Sequence, residues 1–346
     1  SGTVIVMDPK TGHILAHATA PTFDPNNTKK VSLIAMRNPS VQDIYEPGST
    51  GKIMTLAAAL EEKKITPETV LTVPYKLKRA DKVFSDHEPH PTQRLTTSGI
   101  LAVSSNTGSI LIGEMISNQS LYDYLTKFGV GVKTGAGLPG ESRGKLLEVS
   151  EWSGTTAPTV AFGQGYSLNT MQATSIFATI ANDGLRVPPT VIAGTSDSSG
   201  NYTPTKKQKA VRVVSASTAK QMRMMMETVV SAHGTAPTAA IAGYRVAGKT
   251  GTAQRIDDTC GCYRGYTASF IGFAPADKPA YVINVTIQDP KGMHWGGALG
   301  GPVFKEVMSF VLQSQGIAPT QDKVKKVALN EAQLNAQKKV LRAQAN

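Results

Sequence analysis

The chain has little cysteine, few aromatic residues and no long hydrophobic run, and each shortage excludes something. Its 346 residues contain two cysteines, Cys260 and Cys262, separated by one glycine in what reads as a hairpin tip. Two thiols cannot complete a four-ligand zinc site alone, and no paired histidines stand near them. Their spacing leaves both a local disulfide and a pair of free thiols open. No stretch reaches the roughly 18 consecutive apolar residues that a membrane-spanning helix needs, and polar Ser1-Gly2-Thr3 opens the chain without a signal-peptide pattern. The missing initiator Met reads as a processed or excised product whose anchor lies outside this sequence. Internal repeats and low-complexity linkers are also lacking.

What is present is enough apolar material for a full core. At 40% hydrophobic residues the chain fits one large domain or two packed subdomains, which excludes disordered and fibrous classes. The net charge of +11 is spread along the chain, densest at Lys76-Leu77-Lys78-Arg79 and in the C-terminal stretch. No aromatic-interleaved basic motif accompanies it, so nucleic acid is not an expected partner. A solvated, cation-biased surface suits anionic cell-envelope material instead.

Thr3–Met7 and Ile14–Ala16 flank the turn Asp8-Pro9-Lys10-Thr11-Gly12, a β-hairpin pattern. Strand-like runs return at Tyr244–Ala247, Thr267–Phe273 and Tyr281–Ile287. Between them the pattern is helical: Ser49–Leu60, Ser98–Met115 with a polar centre, Asn169–Ala181 ending at Asn182-Asp183-Gly184, and Ser217–Ser231. Met222, Met224, Met225 and Met226 in the last of these read as adaptable core filling. The expected fold is therefore α/β: an antiparallel sheet from both chain ends (about 1–45 and 210–318), flanked by helices, with an inserted mainly helical subdomain (about 46–209). A cleft is expected where the two meet. After Pro319 the apolar residues are too sparse for a convincing stripe, so 319–346 reads as a polar tail or a loosely docked helix.

The chemistry-bearing residues fall into three segments. In Tyr45-Glu46-Pro47-Gly48-Ser49-Thr50-Gly51-Lys52, Pro47 and Gly48 break the preceding chain. Ser49 then starts a helix and Lys52 shares its face one turn on. A serine hydroxyl is a poor nucleophile at neutral pH unless a base such as a desolvated lysine stands beside it. The helix N-terminus offers backbone N–H groups to an oxyanion. Such a spacing alone is also met in ordinary helix caps. Its weight comes from Ser104-Ser105-Asn106, which offers a proton relay and an orienting amide, and from Lys249-Thr250-Gly251-Thr252 on a predicted strand. There a lysine and hydroxyls can bind a carboxylate, and Gly251 allows close approach. The same three elements in this order occur in penicillin-binding proteins and β-lactamases. A second Lys-Thr-Gly, Lys133-Thr134-Gly135, lacks a leading strand and reads as a loop. His87-Glu88-Pro89-His90 has the wrong spacing and a Pro for a zinc helix. No metal or cofactor is expected.

With Pro21–Asn26, Gly163-Gln164-Gly165-Tyr166 and Trp295-Gly296-Gly297 to Pro302-Val303-Phe304, these segments resemble the transpeptidase domain of class B penicillin-binding proteins. The resemblance covers nearly all of residues 1–318 and is nearer the septal division type than the elongation type. It implies a D,D-transpeptidase that cross-links peptidoglycan stem peptides and is trapped by β-lactams. Ser49 would attack the D-Ala-D-Ala carbonyl while Lys52 takes its proton, and the N–H groups of Ser49 and Thr252 would hold the oxyanion. Ser104 and Asn106 would assist; Lys249, Thr250, Gly251, Thr252 and Trp295 would form the substrate-binding set. It further implies the extracytoplasmic face of the bacterial plasma membrane, a lipid-linked precursor, and glycosyltransferase and divisome or elongation partners.

Two departures stand out. Gly51 occupies a position usually apolar and bulkier, which lowers local helix propensity by about 1 kcal/mol and predicts a looser nucleophile. Met293-His294 precedes Trp295 where division enzymes often carry paired tyrosines. Competing readings are a D,D-carboxypeptidase, a β-lactamase, and a non-catalytic β-lactam sensor. For a class A β-lactamase the deacylating E-x-x-L-N string would be Glu331-Ala332-Gln333-Leu334-Asn335, which falls beyond Lys249 in the polar tail.

Overall fold

The computed structural model describes residues 1–29, 31–206, 208–257, 260–320 and 326–345. Strands β1 (Gly2–Met7) and β2 (Ile14–Ala20) form the expected hairpin, whose turn is closed by Asp8: its carboxylate accepts from Lys10 N at 2.8 Å. Helices α1 (Pro39–Gln42) and α2 (Lys52–Glu61) follow, then the short strands β3 (Val70–Val73), β4 (Lys76–Arg79), β5 (Lys82–Ser85) and β6 (Gln93–Thr96). Helices α3 (Thr97–Ala102), α4 (Asn106–Gly113), α5 (Asn118–Phe128), α6 (Thr156–Ala161) and α7 (Thr170–Ala181) complete the middle of the chain. Short strands β7 (Leu185–Arg186), β8 (Gly194–Ser196), β9 (Tyr202–Pro204) and β10 (Val211–Arg212) lead to α8 (Ala216–Val230). The chain then returns as β11 (Ala247–Asp257), β12 (Cys262–Ala274) and β13 (Tyr281–Gln288), followed by α9 (Gly296–Ser314) and α10 (Glu331–Ala345).

The main sheet has the order β11-β12-β13-β1-β2 with antiparallel neighbours throughout, so both chain ends build it as expected. Its pleat sorts side chains between two layers. Phe270 faces α9, where its ring meets that of Phe304 edge-on at 4.9 Å. Asn284, paired across the ladder with Ile271, faces the other way and donates from Nδ2 to Thr170 O and Thr174 Oγ1 of α7, both at 3.1 Å. Helix α7 is buried along all twelve residues and is started by a reciprocal capping box between Asn169 and Gln172. Met222, Met225 and Met226 of α8 are fully buried, the core filling their pattern suggested.

Two expectations change and two alternatives are decided. The strand foreseen at Tyr244–Ala247 begins only at Ala247; Tyr244 instead bridges Ile241, and its hydroxyl donates to Ile317 O at 2.6 Å. The polar centre of the 98–115 run divides it into α3 and α4, with Ser104 between them at φ +62°. Cys260 and Cys262, left open by spacing, are joined in a disulfide. The polar C-terminal stretch is a docked element, with Leu334 of α10 and Ala328 almost wholly buried. Its stripe looked sparse because short backbone and ion-pair contacts, which leave no mark in hydropathy, do much of the docking.

Candidate active site

The cleft lies where β11 meets the helical middle of the chain, a hollow of about 520 Å³ lined by Ser49, Asp86, His87, Leu95, Ser104, Thr250, Thr252 and Trp295, among others. Ser49 stands in a single 3₁₀ turn, Gly48–Thr50, that runs into α2. Gly48, at φ +54°, lets the chain reverse there, and its amide donates to Gly163 O at 2.8 Å. Lys52 opens α2 and is fully buried. Its Nζ lies 3.0 Å from Ser49 Oγ, 2.8 Å from Asn106 Oδ1, 2.5 Å from Ser104 O and 3.3 Å from Ser104 Oγ. Ser104 O and Asn106 Oδ1 can only accept. A neutral amine gives them its two hydrogens and turns its lone pair toward the Ser49 hydroxyl. Burial favours that neutral form and brings the Lys52 pKa down to about 7, the charge of Asp86 opposing it.

Lys249, the third residue of β11, is also fully buried, just before the threonines that line the cleft. Its Nζ donates to Ser104 Oγ at 2.8 Å and to Thr250 O and Oγ1 at 3.2 Å. Burial first, and then the Lys52 charge, hold Lys249 well below the ordinary lysine range. Ser104 Oγ thus sits between two lysine nitrogens, placed there by the left-handed backbone at the α3–α4 junction. A non-glycine residue at positive φ is uncommon and clusters at functional sites. Lys249 stands behind Ser104, while Thr250 and Thr252 present their side chains to the cleft. Thr250 Oγ1 is 2.8 Å from Thr235 Oγ1, and Thr252 Oγ1 accepts from Gly296 N at 3.1 Å. Gly251 packs the strand against the Ser49 turn: an added Cβ would lie 3.0 Å from Thr50 Cγ2 and 3.1 Å from Pro47 O. The nearest atom would be Ser269 Oγ of β12, at 2.5 Å, so the glycine lets β11 pack closely on both its neighbour strand and the Ser49 turn.

Trp295 caps α9 and stands half-exposed on the cleft rim, edge-on to His87 at 5.8 Å. His294, at the second departure noted above, stacks on Tyr266 at 4.2 Å and leans on Trp295 at 5.0 Å. Lys133-Thr134-Gly135 is a loop as read, with Thr134 and Gly135 bonded to Glu141 and none of the three lining the cleft.

Gly51 is a correction. An added Cβ there would overlap the Tyr166 hydroxyl and lie 2.8 Å from Gly163 Cα. The glycine admits a buried tyrosine, so the missing side chain is filled space and not a gap beside Ser49. Sequence reasoning also passed over Asp86. Its carboxylate accepts from Asn106 N at 2.5 Å, Thr107 N at 3.0 Å and Ser105 Oγ at 2.7 Å, capping α4 and fixing Asn106. Only the adjoining His87–His90 segment drew notice; it is a loop, and His90 Nε2 lies 2.9 Å from Asp86 Oδ2. Among the described residues no cluster of His, Cys, Asp and Glu could hold a metal ion, and no helix is long and apolar enough to cross a membrane.

An antiparallel sheet flanked by helices, with a serine–lysine pair at the seam, defines the α/β class of penicillin-recognising proteins. A family model described as the penicillin binding protein transpeptidase domain matches residues 2–309, and the chain belongs to that family. It is 38% identical over 331 residues to penicillin-binding protein PbpB of Mycolicibacterium smegmatis, covering 92% of this chain and 51% of the relative. To peptidoglycan D,D-transpeptidase FtsI of Escherichia coli it is 34% identical over 324 residues, covering 92% and 52%. The chain spans about half the length of these curated relatives. The structure of penicillin-binding protein 3 from Mycobacterium tuberculosis complexed with ampicillin superposes with a TM-score of 0.87 at 36% identity, covering 95% of this chain and 75% of that one. The class B resemblance and the fold class are borne out.

Proposed function

We propose that this domain is a serine D,D-transpeptidase of peptidoglycan that works through an acyl-enzyme on Ser49 and is acylated there by β-lactams. The observation that carries it is the buried Lys52 amine, 3.0 Å from Ser49 Oγ and with a pKa near 7. Lys52 takes the Ser49 proton as Oγ attacks the carbonyl of the penultimate D-Ala, and the N–H groups of Ser49 and Thr252 hold the oxyanion. The proton passes through Lys52 and Ser104 to the departing D-Ala amine. Asn106 orients Lys52 and the substrate amide. Thr250 and Thr252 take the terminal carboxylate, with Lys249 behind them and Gly251 holding the strand in place; Trp295 covers the rim. An amine from a second stem peptide then attacks the ester and releases Ser49.

The relatives named PbpB and FtsI, and the β-lactam complexes of penicillin-binding protein 3, support this reading and the septal over the elongation role. The domain acts on the extracytoplasmic face of the bacterial plasma membrane, on stem peptides of the lipid-linked precursor, beside a glycosyltransferase and divisome proteins. The β-lactamase alternative loses its deacylating glutamate, because Glu331 is paired with Arg94 and does not line the cleft. The test supplies a pentapeptide ending in D-Ala-D-Ala with an excess of an amine acceptor. Aminolysis product in excess of hydrolysis product supports the transpeptidase; hydrolysis alone would make it a carboxypeptidase.

A further inference from the structure

Residues 326–345 lie beyond the matched family region, yet they pack against β6, which lines the cleft, and against the start of α3. Strand β6 pairs with β3 on one side only, and the C-terminal segment takes its free side. Leu95 bridges Asn330 in antiparallel fashion, and Thr96 N donates to Leu329 O at 3.1 Å. The Thr96 hydroxyl donates to Ala328 O at 2.7 Å and accepts from Gly99 N at 3.0 Å, so one side chain ties the segment to the cap of α3. Arg94 holds Glu331 by two nitrogens, at 2.9 and 3.1 Å. Gly99 marks how close the seat is: an added Cβ would overlap Leu329 O and lie 2.8 Å from its carbonyl carbon and 3.1 Å from its Cα, the three nearest atoms it would meet.

The braced elements are those that shape the site. Gln93 and Leu95 line the cleft, and α3 runs directly to Ser104, whose amide donates to Leu101 O at 3.2 Å. A shift of α3 would move Ser104 relative to both lysines. A second hollow of about 510 Å³ opens between the segment and α8; His233 lines it as well as the cleft.

We propose that the C-terminal segment is a positioning element of the active site, which through its seat on Thr96 and Gly99 holds Ser104 in register with Lys52 and Lys249. The inference rests on the acylation of Ser49 argued above. Small displacements of catalytic groups are enough to slow chemistry while binding persists. Because Lys249, Thr250 and Thr252 lie on β11, away from the seat, ligand affinity should hardly change.

The test is Gly99→Ala in the full chain, followed by the kinetics of penicillin acylation over a range of concentrations. Alanine favours helix, so α3 itself is not weakened and only the segment is displaced. The limiting acylation rate should fall about tenfold or more while the apparent dissociation constant changes by less than about threefold. A chain ending at Thr320 should show the same fall, and adding Gly99→Ala to it should change nothing further. A Gly99→Ala protein acylated within about twofold of the parent rate would overturn the proposal, as would an undiminished effect of the substitution in the shortened chain. Should the shortened chain not fold, the Gly99→Ala rate decides alone. A parent chain that takes no adduct at all would defeat the functional reading, a result distinct from either.

Discussion

The hydroxyl of Tyr166 fills the space that a side chain at Gly51 would need, so the residue beside the candidate nucleophile and the buried tyrosine are fitted to one another. Tyr166 is 2% exposed, and its oxygen has no hydrogen-bond partner among the described residues. Gly51→Ala should therefore destabilise the domain by about 1–3 kcal/mol through overpacking, despite the better helix propensity of alanine. Tyr166→Phe removes an unsatisfied buried hydroxyl and should be neutral or stabilising by up to about 1 kcal/mol. In the Phe background the alanine should cost less, with a coupling of at least about 0.5 kcal/mol in denaturant unfolding. Strict additivity would show that the two positions do not share the space.

The acylation rate should follow the neutral fraction of Lys52. With a pKa near 7, the rate constant for penicillin should rise through pH 7 and level off above it, because the free amine accepts the Ser49 proton and the ammonium does not. About one pH unit below the midpoint the rate should be near a tenth of its plateau. A midpoint near the ordinary lysine value would contradict a buried base.

Asp86 supplies the charge that opposes the fall of the Lys52 pKa. Asp86→Asn should move the acid limb of the same profile to lower pH. It should also weaken the α4 cap, lowering stability by about 1–2 kcal/mol, since an amide cannot accept all the bonds the carboxylate takes from Asn106, Thr107 and Ser105. An unmoved limb in a folded variant would show that Asp86 does not act on Lys52.

These relationships show where sequence was legible and where it was not. The hairpin at 2–20, the returning strands, helix α7 with its Asn169 cap and the three motif segments carry short-range periodicity or fixed spacing, so local pattern finds them. Ser49, Lys52, Ser104 and Asn106 could be named, but their meeting point could not, because 52 residues separate Lys52 from Ser104 and only packing brings them to 2.5 Å. Asp86 was hidden for the same reason: its partners lie some 20 residues away and no spacing rule marks a carboxylate that caps a distant helix. Gly51 was misread because propensity sees the missing side chain and not the tyrosine that fills its place. The C-terminal segment was undervalued because backbone bonds to Thr96 leave no trace in hydropathy.

The central claim is that Ser49 is the acylated residue. Incubation of the chain with a penicillin, followed by intact-mass measurement, tests it most directly. The account predicts one adduct of the antibiotic's full mass on the parent protein and none on Ser49→Ala, with the variant still folded by circular dichroism; an adduct that survives the substitution would contradict it.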